Sequence, residues 1–266
     1  MKKVLTIAGS DSSGGAGIQA DIKTMSSLGV YGMSIITAIT AQNTMGVFDV
    51  LEVSKEMIES QINCIFQDIS VDAVKIGMVS NTEIIKVIKE KLIRYNGENI
   101  VVDPVMVSKS GYFLLKQDAV EELKDLISIA DIVTPNIPEA EVLSGIGIKN
   151  EEDMKRAAEI IAEIGAKNIL IKGGHRCNNA NDILYNRENF FVFEGDRIET
   201  KNTHGTGCTL SSAIASYIAK GYKVEKAIEL SKQYINKAIK NSFSIGQGVG
   251  PVGHFIDLYK KAGMDY

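Results

Sequence analysis

The sequence predicts a doubly wound α/β fold, with a mainly parallel sheet between two layers of helices. Three observations carry that expectation. Short β-branched runs alternate with longer amphipathic stretches along the chain, which is the pattern of βα units. Most of the early runs are solidly apolar rather than alternating, as strands are when both faces of a parallel sheet are covered. No low-complexity linker, internal repeat or break in composition divides the 266 residues. Residues 1–266 are therefore expected to form one domain.

Taken in order, residues 4–8 (VLTIA) read as the first strand, and a helix is expected at 18–28 after a glycine-rich link. Residues 34–39 read as the second strand, followed by a helix at 55–66. Strands at 73–76, 100–102, 132–134 and 169–171 then interleave with helices at 82–94, 119–127 and 151–164. The short apolar runs 183–185 and 190–193 suggest a hairpin across residues 186–189. Helices at 209–219 and 224–241 complete the pattern.

Composition narrows the class of function. The net charge is −4 with both signs mixed along the chain, and no basic stripe suggests a nucleic-acid partner. No apolar run approaches the roughly 18 residues of a membrane span. The first apolar run has five residues, too few for the core of a signal peptide. Cys64, Cys177 and Cys208 are odd in number and widely spaced, unlike a disulfide framework or a zinc ribbon. A cytoplasmic location is expected.

In doubly wound folds ligands bind beyond the carboxyl ends of the strands. Chemistry-bearing residues should stand there, and residues 9–17, 42–44, 77–78, 103–111, 135–139 and 172–175 follow the expected strands. The most informative segment is Asn202-Thr203-His204-Gly205-Thr206-Gly207-Cys208-Thr209, entering a helix rich in small residues. Gly205 and Gly207 let backbone amides converge, and a helix N-terminus suits phosphate. At that terminus the thiol pKa of Cys208 is expected to fall. A glycine turn for close helix packing, with an inert buried cysteine, is the competing reading. Residues 15–20 match G-x-G-x-x-A, but the link from the first strand is too long for a dinucleotide turn. The acidic residue expected after the second strand is also missing.

Phosphoryl transfer needs positive charge, a metal and a proton acceptor. Lys172 ends the run ILIK before two glycines, and its alternative is a snorkelling surface lysine. Asp103 ends VVD, and Glu139 lies three residues after Asn136. Carboxylates at neighbouring strand ends suit magnesium held largely through water. Asn136 and Glu139 also read as a capping box, and the two roles are compatible. The polar insert 176–181 is a candidate flap. His204 and His254 read as structural.

In order along the chain, GSDSSGGAGIQAD, AQNTMGV, KIGM, DPVMVSKSG, TPNIPEAE, KGGH, NTHGTGCTLSSAIA and GPVGH resemble the hydroxymethylpyrimidine and phosphomethylpyrimidine kinases of thiamine biosynthesis. That family lies within the ribokinase-like superfamily, and the resemblance runs over residues 4–254 without a large gap. It implies a three-layer α/β/α sandwich, a homodimer, and ATP with Mg2+. It implies that Cys208 is the base where sugar-kinase relatives carry an aspartate, beside an anion hole built from the amides of Gly205, Thr206, Gly207 and Cys208. The family's N-x-x-E motif maps onto Asn136 and Glu139, and its phosphate-contacting lysine onto Lys172. The pyrimidine pocket would be lined by Ala16, Asp21, Gln42, Met78 and Val105, with Val107 close by. Gln42 can both give and accept hydrogen bonds, as an aminopyrimidine edge requires. Pyridoxal kinase of the same superfamily is a competing reading, against which AQNT favours the pyrimidine. A non-catalytic binder of thiamine precursors is another, against which Cys208, Lys172 and Glu139 all stand.

Overall fold

The computed structural model describes residues 1–108, 111–174, 180–195 and 197–264. Most of the insert expected as a flap, residues 176–179, lies outside the described residues, as does Cys177. In chain order the elements are β1 (Lys3–Ala8), α1 (Gly17–Ser27), β2 (Tyr31–Ile36), β3 (Ala38–Asn43), β4 (Gly46–Glu52), α2 (Lys55–Asp68), β5 (Ala73–Ile76), α3 (Thr82–Arg94) and β6 (Ile100–Val102). A single 3-10 turn then leads into α4 (Val120–Ile127), β7 (Ile132–Val133), α5 (Ile137–Ser144), α6 (Glu151–Ala162), β8 (Asn168–Ile171), β9 (Asp182–Tyr185), β10 (Phe190–Phe193), α7 (Thr206–Ala219), α8 (Val224–Lys240) and α9 (Ile256–Lys261).

Among the described residues eight strands form one sheet in the order β10-β9-β8-β7-β6-β5-β1-β2. From β2 to β8 every pair is parallel, and β8-β9-β10 continue antiparallel. The solid apolar runs explain this arrangement, because successive side chains of a strand point to opposite faces and both faces are covered. Leu5 and Ile7 of β1 pack into the core shared with α2 to α6, while Val4 packs into the core under α1, α7 and α8. The result is the expected three-layer α/β/α sandwich.

The strand expected at 34–39 is in fact two. Thr37 separates β2 from β3, and β3 leaves the main sheet to pair antiparallel with β4. Gln42 and Asn43 thus lie on a strand of a two-stranded hairpin, not in a loop. The last of the expected helices but one, at 209–219, begins earlier, at Thr206, which puts Gly207 and Cys208 in its first turn. Gly205 caps it with φ +76°, and a Cβ there would overlap the carbonyl oxygen of Gly15. Only glycine lets this helix end press against the loop after β1. At the other end of the chain, burial and the charge of Lys23 push His254 down to about 4. Its neutral ring shares a 3.0 Å hydrogen bond with Thr209 Oγ1, tying the C-terminal segment to α7. Among the described residues no helix is long and apolar enough to cross a membrane.

Candidate active site

A cavity of about 870 Å³ opens where the carboxyl ends of β1, β5, β6 and β8 meet the N-terminus of α7. The inward face of the hairpin closes one side of it through Thr40, Gln42 and Val47. From the opposite half of the sheet come Asp182 at the start of β9, and Lys232, Ile235 and Ile239 of α8. Of the residues singled out in the sequence, Ala16, Gln42, Met78, Val105 and Val107 line this cavity. So do Asp103, Asn136, Glu139 and Lys172, and with them Gly205, Thr206, Gly207 and Cys208. Their sequence separation is large, and only the common strand-end geometry brings them together.

The charged centre is Lys172, directly after β8. Its Nζ stands 2.8 Å from Asp103 Oδ1 after β6. Thr134 Oγ1 donates to the same oxygen at 3.3 Å, and Ser211 Oγ of α7 donates to Asp103 Oδ2 at 3.4 Å. A Cβ on Gly207 would lie 3.4 Å from Asp103 Oδ2 and 3.6 Å from Lys172 Nζ, so the bare helix end faces both charges. Burial disfavours the Lys172 ammonium, but Asp103 and Glu139 outweigh it and hold its pKa above the ordinary lysine value. Lys172 therefore remains a cation facing the cavity.

Asn136 and Glu139 form the capping box of α5. The Glu139 N–H donates to Asn136 Oδ1 at 3.0 Å, and the Asn136 N–H donates to Glu139 Oε2 at 2.8 Å. Burial pushes Glu139 up to about 7, Lys172 pulls it down, and the neighbouring Asp103 adds to the rise. Capping and a place at the cavity wall coexist in this residue. Among the described residues no group of three or more His, Cys, Asp or Glu is arranged to cage a metal.

Two expectations need correction. The helix terminus does not lower the Cys208 thiol. Burial pushes it up to about 11, and Asp21 and Asp103 add to the rise, outweighing Lys75 and the Gly17 N–H. The partial charge of a helix end is worth less here than desolvation and two carboxylates. Asp21 does not line the cavity. It is 0 % exposed, and both its oxygens accept from Lys75 Nζ at 3.0 and 2.9 Å. Thr6 Oγ1 and Ser212 Oγ complete its shell at 2.6 and 2.7 Å. A lysine buried in the sheet must keep its counter-ion, and that need consumes Asp21 beneath Cys208.

The sequence reading also missed residues. His204, taken as structural, lines the cavity, and its Nε2 is 2.8 Å from Asp11 Oδ2 and 3.3 Å from the Gln42 amide. Asp11 accepts five hydrogen bonds, from Ser13 N and Oγ, Gly15 N, Ala16 N and His204. Burial works against its charge, but the bonds from His204 and Ser13 win and hold it at about 2. An acid in the glycine-rich loop just after the first strand was the available signal. Lys232, the third omission, donates to Ala180 O and Asp182 Oδ2, both at 2.7 Å.

Comparison with known proteins agrees with this geometry. The model of the family described as phosphomethylpyrimidine kinase matches residues 11–253. A hydroxymethylpyrimidine/phosphomethylpyrimidine kinase of Rhizobium meliloti is 51% identical over 261 residues, 96% of this chain and 98% of that protein. The thiamine biosynthesis bifunctional protein ThiED of Geobacter sulfurreducens is 49% identical over 95% of this chain, which spans only 52% of that protein's length. Among solved structures, phosphomethylpyrimidine kinase of Clostridium difficile has a TM-score of 0.82 at 55% identity, covering 90% of this chain and 100% of that chain. An ADP complex of Bacillus subtilis pyridoxal kinase has a TM-score of 0.89 at 41% identity, covering 96% of this chain and 97% of that one. The cavity at the strand ends, with its lysine, carboxylates and helix-end cysteine, is carried by a fold and a sequence that agree on one conclusion: this chain belongs to the phosphomethylpyrimidine kinase family.

Proposed function

We propose that this chain transfers the terminal phosphoryl group of ATP to the hydroxymethyl oxygen of 4-amino-5-hydroxymethyl-2-methylpyrimidine, and then a second one to the resulting monophosphate, in thiamine biosynthesis. The observation that carries the reading is the shared cavity. Gln42, a two-way hydrogen-bonding group among apolar walls, opens on the same space as Lys172, Asp103 and Cys208. The activity named for the relatives supports the same substrate, and the nucleotide in the pyridoxal kinase complex supports ATP use.

The residues then divide the work. Met78, Val105, Val107 and Ala16 flank the pyrimidine ring, and Gln42 reads its polar edge. Lys172, Asn136 and the amides of residues 205–208 bind phosphate oxygens, because a helix N-terminus and an ammonium both favour anions. Asp103 and Glu139 suit a magnesium ion that keeps most of its water, since each carboxylate is already partly engaged by its neighbours. When bound, that ion supplies further positive charge to the phosphates. Cys208 takes the hydroxyl proton on Sγ. Its raised pKa keeps it a thiol in the resting chain, so the acting thiolate is a minority that grows as pH rises.

The outward face of the hairpin carries Ile39, Phe48 and Leu51, which are 51%, 65% and 68% exposed. That apolar face supports a homodimer formed by the same hairpin that covers the site. Free thiols at Cys64 and Cys208 support a cytoplasmic location, and the unbroken eight-stranded sheet supports one domain. With Mg-ATP and the aminopyrimidine, phosphorus NMR should record a phosphomonoester signal that gives way to a diphosphate as ADP accumulates. Release of ADP with no phosphorylated pyrimidine would refute the assignment.

A further inference from the structure

Gln42 is held by hydrogen bonds at both its backbone and its side chain. The loop after β1 grips its backbone, with Ser12 Oγ donating to Gln42 O at 2.7 Å and accepting from Gln42 N at 2.9 Å. The same loop carries Asp11. At the side chain, Nε2 stands 3.3 Å from His204 Nε2 and Oε1 stands 3.1 Å from Thr40 Oγ1.

Those two amide positions cannot both be satisfied as they stand. Asp11 has every acceptor site directed at a donor and is held ionised, so it only accepts. At 2.8 Å, His204 Nε2 must therefore carry the hydrogen and donate it to Asp11. An N–H of Gln42 facing that same nitrogen would oppose donor to donor. Thr40 Oγ1 has one hydrogen, and it goes to Ser10 O at 2.7 Å. Nothing remains for it to donate to a Gln42 oxygen. Exchanging the oxygen and nitrogen of the amide removes both conflicts. The amide N–H then donates to Thr40 Oγ1, and the amide oxygen accepts from His204 Nε2–H, which it shares with Asp11.

We propose that Asp11 and His204 form a positioning device that fixes the Gln42 amide in this one orientation, leaving one N–H and one oxygen lone pair for the substrate ring. An aminopyrimidine offers the matching pair side by side, an amino donor next to a ring-nitrogen acceptor. Without His204 nothing holds the amide oxygen on its side, and the oriented hydrogen bond that Gln42 offers the substrate ring is lost. Gly15 belongs to the device, because a Cβ there would run into the His204 ring. The inference rests on the reading that Gln42 faces an aminopyrimidine.

The test is a double-substitution cycle read in kcat/KM for 4-amino-5-hydroxymethyl-2-methylpyrimidine. Wild-type turnover is measured first, and its absence would overturn the parent reading and this inference with it. With turnover present, His204→Phe keeps a ring but removes the donor, and kcat/KM should fall about tenfold, the worth of one oriented hydrogen bond. The KM for ATP should not move. In a Gln42→Ala background the same substitution should cost less than about twofold, because the residue it acts through is gone. His204→Gln, whose amide nitrogen reaches the position of Nε2, should restore most of the loss. His204→Asn, shorter by one methylene, should not, and this pair carries the test if His204→Phe does not fold. Additive losses in the cycle, or equal activity of the Gln and Asn variants, would overturn the proposal.

Discussion

Replacing Cys208 with alanine is expected to lower turnover by about 10²–10⁴-fold, the range for loss of a general base. ATP binding should survive, because the amides of residues 205–208 that face the phosphates do not need the side chain. The pH dependence gives this prediction its sign. Burial, Asp21 and Asp103 raise the Cys208 thiol to about 11, so sulfur stays protonated through the neutral range. Each unit of pH below that value multiplies the thiolate fraction by about ten as pH rises. Between pH 7 and 9, log kcat of the wild type should therefore climb with a slope near one, while the alanine variant stays flat. Chemistry must be rate-limiting for this reading, which single-turnover quench-flow measures. A plateau already reached near pH 7 would contradict it, and would return Cys208 to the low-pKa thiolate expected from its helix position alone.

The second large effect belongs to Lys172. Lys172→Ala should lower kcat by about 10²–10³-fold, the cost of removing one oriented electrostatic contact from a developing charge. The substitution also strands Asp103, which is 2 % exposed and 2.8 Å from the ammonium. Breaking such a pair costs about 3 kcal/mol of stability, the low end for a buried pair, because cavity solvent reaches Lys172. The two consequences separate in the double variant Lys172→Ala/Asp103→Asn. Denaturant melts should show most of the stability regained, while kcat stays well below that of Asp103→Asn alone, the reference needed because Asp103 also serves the magnesium ion. Equal kcat in the double variant and in Asp103→Asn would mean that Lys172 serves only to neutralise Asp103.

These residues also show where sequence reasoning reached and where it stopped. The central strands of the main sheet were legible because they are buried on both faces, so β5 and β6 fall where the apolar runs stand. The hairpin was not. Residues 46–52 are half exposed, and Ile39 and Leu51 point their apolar side chains outward, so burial leaves no clean period there. Helix α5 was signalled only by its capping box at Asn136 and Glu139, and its extent was missed because Pro138 sits in its first turn, where the missing N–H is no loss. The site was legible as a set of strand ends, since thirteen of the fourteen singled-out positions open on one cavity. Its electrostatics were not. The thiol shift of Cys208 depends on burial, on Asp21 from α1 and on Asp103 just after β6, and Asp21 is claimed by Lys75 from a strand 54 residues away. His204 and Asp11 are separated by 193 residues. No local pattern announces pairs of that kind, and only the meeting of α7 with the loop after β1 creates them.

The most direct test of the central claim is a comparison of kcat/KM, by ADP release with Mg-ATP, for the aminopyrimidine, its monophosphate and pyridoxal on the same preparation. The cavity that joins Gln42 to Lys172, Asp103 and Cys208 predicts that both pyrimidines are phosphorylated and that each outranks pyridoxal. Brisk turnover of pyridoxal with neither pyrimidine consumed would contradict the account.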